Sequence, residues 1–395
     1  MERIVYADHS ATTFVKDEVL REMLPYFTRN FGNASSGYSI GRNARLAIDN
    51  ARCKVATAIG ARSDEIYFTS GGSEADNMII SGIARANKNR GKHIITTKIE
   101  HMAIINTCKN LEKEGFDITY LDVDEGGIIN LNQLINSIRE DTILISVMFA
   151  NNEIGTIEPI EQIGKIAKEN NILFHTDAVQ AIGNVEIDVH KLNIDALSLS
   201  AHKFYGPKGV GAAYIKRDID FHNLIFGGHQ EKSKRAGTEN VPAIVGLGKA
   251  IEISTSNIQR YNEKLLNYRN YFITKLQNNL DGIKVNGTMI NRLPGNVNIC
   301  INGIDSQTML AMLDMYGICA SSGSACNTSS LTPSHVLSAI GLTKEQANGS
   351  IRFTFGDANS FLDIDYIANT LIMIIKKLRS ESSRGYNINR YNFNI

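Results

Sequence analysis

Residues 171–216 read NILFHTDAVQAIGNVEIDVHKLNIDALSLSAHKFYGPKGVGAAYIK, and this stretch decides the fold class. It holds three short β-like runs, NILFHT, IDALSLSA and GVGAAYIK. Near-continuous apolar runs of this length suit strands covered on both faces. Four similar runs lie upstream: EIYFTS, KHIITTK, ITYLDV and TILISVMF. Segments with helical spacing separate most of them, among them EADNMIISGIARAN and ARLAIDNARCKVATAIG, the latter stopping at Gly60. Strands alternating with helices predict βαβ units. The expected fold is α/β, with a seven-stranded, mostly parallel sheet.

The pattern changes near residue 257. Long helical segments are followed by a turn at Leu293-Pro294-Gly295, a strand NVNICI, a helix, a small-residue loop SSGSACNTSSLTP, a strand SIRFTF and a last helix. This predicts a smaller α+β domain after a large domain ending at residue 256. The final residues, 381–395, are polar and read as a flexible tail.

Composition narrows the function. The chain has 395 residues with 41 Lys+Arg against 41 Asp+Glu. That balance argues against direct nucleic-acid binding. The apolar stretch IANTLIMIIKKL is too short to span a bilayer, and the start shows no apolar targeting segment, so no membrane association is expected. Five dispersed cysteines without a CxxC fit a reducing cytoplasm.

In a doubly wound sheet, ligands bind beyond the carboxyl ends of the strands. After EIYF comes Thr69-Ser70-Gly71-Gly72-Ser73-Glu74, and after KHIITTK come Glu100 and His101. Asn151, Asn152 and Glu153 follow TILISVMF, Asp177 and Gln180 follow NILFH, and His202 and Lys203 follow IDALSLS. The TSGGSE turn reads as a phosphate site at a helix N-terminus, or as a plain helix cap at Ser73. It lacks both GxGxxG and GxxxxGK[ST]. Asp177 is expected to be buried and so to need a cation, either a protonated pyridine nitrogen or an Arg or Lys. Lys203 reads as a Schiff-base lysine or as an outward-reaching surface lysine. His175 and Asp177 have no further ligand at metal-binding spacing, so no metal is expected. Cys326, in a Gly/Ser loop, is the best thiol nucleophile, whereas Cys53, Cys108 and Cys300 fall in helix or strand patterns and read as inert. Arg352, inside an apolar strand, reads as a carboxylate clamp or a structural ion pair.

Together these residues resemble the NifS/IscS-type (group I) cysteine desulfurases of the class V aminotransferase group. The resemblance rests on TSGGSEADN, IEHMAI, ANNEIGTIEPI, FHTDAVQAIG, LSLSAHKFYGPKGVGA, GGHQEKSKRAGTEN, LPGNVN, SSGSAC and SIRFTFG, and runs from about Val5 to Gly356. It implies the pyridoxal 5'-phosphate (PLP)-dependent transferase fold type I. The large domain would be 15–256, and the small one would combine 1–14 with 257–380. It implies conversion of L-cysteine to L-alanine in a cytoplasmic homodimer, with sulfur carried as a persulfide on Cys326 to an acceptor such as an iron–sulfur scaffold protein.

By position, Lys203 would bind the cofactor, Asp177 would hold the ring nitrogen and His101 would stack on the ring and move protons. Asn152 and Gln180 would lie near the ring hydroxyl. Gly72, Ser73, Ser200 and His202 would hold the phosphate, completed by Thr238 from the neighbouring subunit. Arg352, with Asn33, would take the substrate carboxylate. His9, Ser10, Ala34, Tyr38, Ser73, Gln307 and Asp357 depart from the family's usual residues, and Asp357 is expected to weaken the positive potential near Arg352. The competing readings are a selenocysteine lyase or aminotransferase on the same scaffold, and a non-catalytic PLP-binding scaffold.

Overall fold

The computed structural model describes residues 3–323 and 333–383. Twelve strands form three sheets among the described residues. In chain order they are β1 (Val5–Tyr6), β2 (Ile66–Thr69), β3 (His93–Thr97), β4 (Asp117–Leu121), β5 (Thr142–Ser146), β6 (Leu173–Asp177), β7 (Ala196–Ser200), β8 (Gly211–Ile215), β9 (Ile283–Val285), β10 (Asn296–Ile301), β11 (Ile318–Cys319) and β12 (Ser350–Thr354).

The main sheet has seven strands in the order β2-β8-β7-β6-β5-β3-β4. All seven runs read from the sequence are its strands. Only β8 runs against its neighbours; the remaining pairs are parallel. Helices cover both faces, which explains the apolar runs. On one face the helices Ser39–Ile59 and Val241–Thr255 pack Ile48, Val55 and Leu247 against Phe174, Leu197 and Tyr214. On the other, the helices Gly72–Ala86 and Met102–Lys113 bring Met78, Ile79, Ile83, Ile104 and Leu111 against Ile94, Ile143 and Ala213.

A separate core surrounds the antiparallel sheet β12-β10-β9. There Val297, Ile299, Ile351 and Phe353 meet Phe272 of the helix Ile258–Asn279 and Ile367 and Leu371 of the helix Phe361–Ser383. The N-terminal strand joins this body: β1 pairs in parallel with β11, and the Thr354 N–H donates to the Ala7 carbonyl at 2.7 Å. The next residues then run under the main sheet's carboxyl edge. The Thr13 N–H donates to the His202 carbonyl at 2.8 Å and the Tyr205 N–H to Thr13 Oγ1 at 2.8 Å. No described helix is long and apolar enough to cross a membrane.

Candidate active site

The carboxyl ends of β2, β3, β5, β6 and β7 converge on a cavity of about 250 Å³. Its wall from β2 is the start of the helix Gly72–Ala86. That helix begins directly after Gly71 with no side-chain cap. Ser73 is therefore a first-turn residue with an exposed side chain and no capping role. Gly72 is required for packing: a Cβ there would lie 2.8 Å from Val179 Cγ2. The first-turn N–H groups of such a helix have no carbonyl partner within it and attract an anion. Ser200 and His202 line the same end of the cavity. Burial and the charge of Lys203 lower the His202 pKa to about 4, so the ring is neutral, and its Nδ1 lies 3.1 Å from Thr12 Oγ1.

The middle of the cavity holds Asp177, His101 and Lys203. Asp177 ends β6 at the centre of the sheet and is 6% exposed. Its Oδ1 accepts the Val179 N–H at 2.8 Å. Burial raises its pKa, while the nearby His101 and Lys203 side chains oppose the rise. His101 caps the helix Met102–Lys113, with Nδ1 accepting the Ala103 N–H at 3.2 Å. That bond leaves Nε2 to carry the proton of the neutral ring. Burial lowers the His101 pKa, which keeps it in this form. Lys203 leaves the short turn after β7 and does not reach outward. Its Nζ donates to the backbone carbonyls of Ser10 at 2.5 Å and Ala11 at 2.7 Å. Gln180 Nε2 donates to the same Ser10 carbonyl at 3.1 Å.

At the far end stands Arg352, from the middle of β12, with its side chain 1% exposed. Its Nη2 donates to Asp8 Oδ1 at 2.6 Å and its Nη1 to the Asn152 carbonyl at 3.1 Å. The acid facing Arg352 is thus Asp8. The expectation that Asp357 weakens the potential there is corrected: Asp357 pairs with Lys16 at 2.7 Å and lies 3.9 Å from Lys264. Asn33 and Thr238 are exposed and do not line this cavity. Cys326 lies outside the described residues. Cys53, read as inert, lies on the helix Ser39–Ile59 at an exposed position. Cys108 is buried, which pushes its pKa up to about 12.

Several residues at the site were given no role in the sequence reading. Asp76 lines the cavity at 1% exposure, one helical turn beyond Gly72, and its spacing from that glycine was the available signal. Burial and the charge of Asp177 raise its pKa well above the ordinary carboxylate value. Glu100 lies fully buried beside His101, its Oε1 accepting from the Met148 N–H and Thr97 Oγ1, both at 2.9 Å. The carbonyls of Ser10 and Ala11 and the carboxylate of Asp8 come from the chain's first residues, and no local pattern announces them.

The donor set fits pyridoxal phosphate. The helix start with Gly72 and Ser73 suits a phosphate, buried Asp177 suits a protonated ring nitrogen, and Lys203 lies within the same cavity. Fold and site together define a pyridoxal-phosphate enzyme of fold type I. The chain belongs to the class-V aminotransferase family, whose pattern matches residues 5–367. It is similar to a cysteine desulfurase IscS of Clostridium botulinum, 57% identical over 384 residues that cover 97% of each chain. It is 54% identical over 380 residues to a cysteine desulfurase IscS of Methanosarcina thermophila, covering 96% of this chain and 94% of the other. Among solved structures, a NifS-like protein matches with a TM-score of 0.90 at 37% identity, covering 95% of this chain and 100% of that one. SspA in complex with cysteine matches with a TM-score of 0.79 at 39% identity, covering 89% and 98%.

Proposed function

We propose that this protein is a cysteine desulfurase that converts L-cysteine to L-alanine. The observation that carries the reading is the convergence of Lys203, Asp177, His101 and Arg352 on one cavity, in a chain that resembles desulfurases over nearly its whole length. When bound, pyridoxal phosphate supplies an electron sink for the pair released at the substrate Cα. Gly72, Ser73, Ser200 and His202 would hold its phosphate, Asp177 would keep its ring nitrogen protonated, and Asn152 and Gln180 would lie near its hydroxyl. Lys203 would anchor it, and its amine would accept the substrate Cα proton. Neutral His101 would stack on the ring and move protons through Nε2. Arg352 orients the substrate by its carboxylate. The Cys326 thiolate attacks the substrate sulfur. The C–S bond breaks as an S–S bond forms, the bonding pair stays with Cβ, and protons are delivered to Cβ and back to Cα. The products are L-alanine and the Cys326 persulfide, whose outer sulfur passes to an acceptor protein such as an iron–sulfur scaffold.

The working form proposed is a cytoplasmic homodimer, with exposed Thr238 of each copy completing the phosphate site of the other. The test is the holoenzyme with L-cysteine and a reductant. Alanine and sulfide should appear in equal amounts, and Cys326→Ala should lose both while keeping the visible absorbance of the lysine-bound cofactor. Full sulfide release by Cys326→Ala would remove the persulfide role. Alanine formation independent of Cys326 would favour an aminotransferase or lyase on this scaffold.

A further inference from the structure

The carboxylate clamp is already occupied. Arg352 is 1% exposed, and the groups meeting its guanidinium are Asp8 on Nη2 and the Asn152 carbonyl on Nη1. Its Nε is buried and has no hydrogen-bond partner among the described residues. A buried donor left unpaired is costly. The arrangement therefore holds a guanidinium that is charge-neutralised but incompletely satisfied. A carboxylate bound side-on, to Nε and Nη2 together, would satisfy it better. Such a ligand must first take Nη2 from Asp8.

Asp8 has its own attachments. Its Oδ2 accepts a hydrogen bond from Ser321 Oγ at 2.6 Å. Ser321 in turn exchanges backbone hydrogen bonds with Arg352: the Arg352 N–H donates to the Ser321 carbonyl at 2.6 Å and the Ser321 N–H to the Arg352 carbonyl at 3.2 Å. The Asp8 backbone forms a parallel bridge with Thr354, two residues along β12. Asp8 is thus fixed beside the clamp by its main chain, while its side chain divides between Arg352 and Ser321.

We propose that Asp8 is a resident carboxylate that occupies Arg352 in the resting enzyme and gives it up to the carboxylate of the substrate. The proposal rests on the reading of Arg352 given above and names the group that sets its affinity. One carboxylate replaces another on a buried cation, so Arg352 is never left without an anion, and the displaced Asp8 keeps the hydrogen bond from Ser321 Oγ. The cost is affinity, because each substrate molecule must break a charge-assisted bond to enter. Asp8 is accordingly a positioning residue that keeps L-cysteine binding weak and its release easy.

The test compares holoenzymes carrying Asp8→Asn, Ser321→Ala and Arg352→Ala. The probe is 3-mercaptopropionate, which has the carboxylate and thiol of the substrate but no amine to react, with binding read by calorimetry. Asp8→Asn should bind it about tenfold tighter or more, and KM for L-cysteine should fall in parallel. Affinity for cysteamine, which lacks the carboxylate, should stay unchanged. The probe should raise the unfolding midpoint of Asp8→Asn by more than it raises that of the parent. Should Asp8→Asn fold poorly, Ser321→Ala leaves Asp8 with Arg352 alone and the displaced carboxylate without a partner, and should weaken binding about two- to tenfold. Unchanged or weaker probe binding in folded Asp8→Asn, or unchanged or tighter binding in Ser321→Ala, with binding abolished by Arg352→Ala, overturns the exchange while leaving Arg352 as the clamp. Unchanged binding in Arg352→Ala overturns the clamp reading itself.

Discussion

The two ends of the cavity are built in opposite ways. Lys203 and Asp177 sit at the tips of β7 and β6, adjacent parallel strands in the middle of a sheet buried on both faces. Arg352 and Asp8 come from residues 344 positions apart, joined by a two-residue strand and a few backbone bonds. The first end is rigid because the sheet makes it so, and its residues lie in one continuous motif. The second is an assembly of chain ends whose parts have alternative partners. On the proposed reading, the reacting group is held by the core, whereas substrate affinity is set at the seam.

Experiments can press on each end in turn. Lys203→Ala should lower activity by ~10²–10⁴-fold and abolish the visible absorbance of the lysine-bound cofactor. Retained absorbance would place the attachment elsewhere and remove the rigid end of the comparison. Asp177→Asn takes the charge from a fully packed position. A broken buried pair costs about 3–5 kcal/mol, so kcat/KM should drop by about 10²-fold or more while the apoprotein stays folded.

A smaller effect concerns acid. Burial holds the His202 pKa at about 4 and that of His175 at about 3, against 6.5 in the unfolded chain. Above pH 6.5 both states leave these rings neutral. Below it the unfolded chain takes up protons that the fold refuses, so their share of stability is lost as pH falls from 6.5 towards 4. Urea unfolding of the cofactor-free protein across this range should show the decline, and His202→Asn should flatten it. The smallest effect is expected at Asp357, whose pair with Lys16 is 37% exposed on the acid side. Asp357→Asn should cost less than about 1 kcal/mol and leave KM for L-cysteine unchanged. A fall in KM would mean that Asp357, and not Asp8, governs the clamp.

Legibility in the sequence followed the same division. The seven strands could be read because parallel strands covered on both faces are written as apolar runs, and their polar endings could then be listed in order. Lys203, Asp177, His101 and Gly72 were found this way. The short strands β1, β9 and β11 carry too few residues for a period. Asp8 looks like any acid in a leading segment until β12 is laid beside it. Cys53 illustrates a further limit: a helical pattern places a residue on a helix, but which face turns inward depends on what packs against it. Ser73 fits a cap by its chemistry, yet the helix starts one residue earlier, where the backbone of Gly72 passes close to Val179.

The threading of residues 8–13 beneath Lys203 also sets a timetable. Ser10 and Ala11 leave the ribosome well before Arg352, which Asp8 must meet 344 positions along the chain. At about 5–20 residues per second, roughly 20–70 s of synthesis separate the two ends of that bond. Through that interval the nascent chain can close its central sheet but not its site. The site is thereby left unassembled until residue 352 has been made.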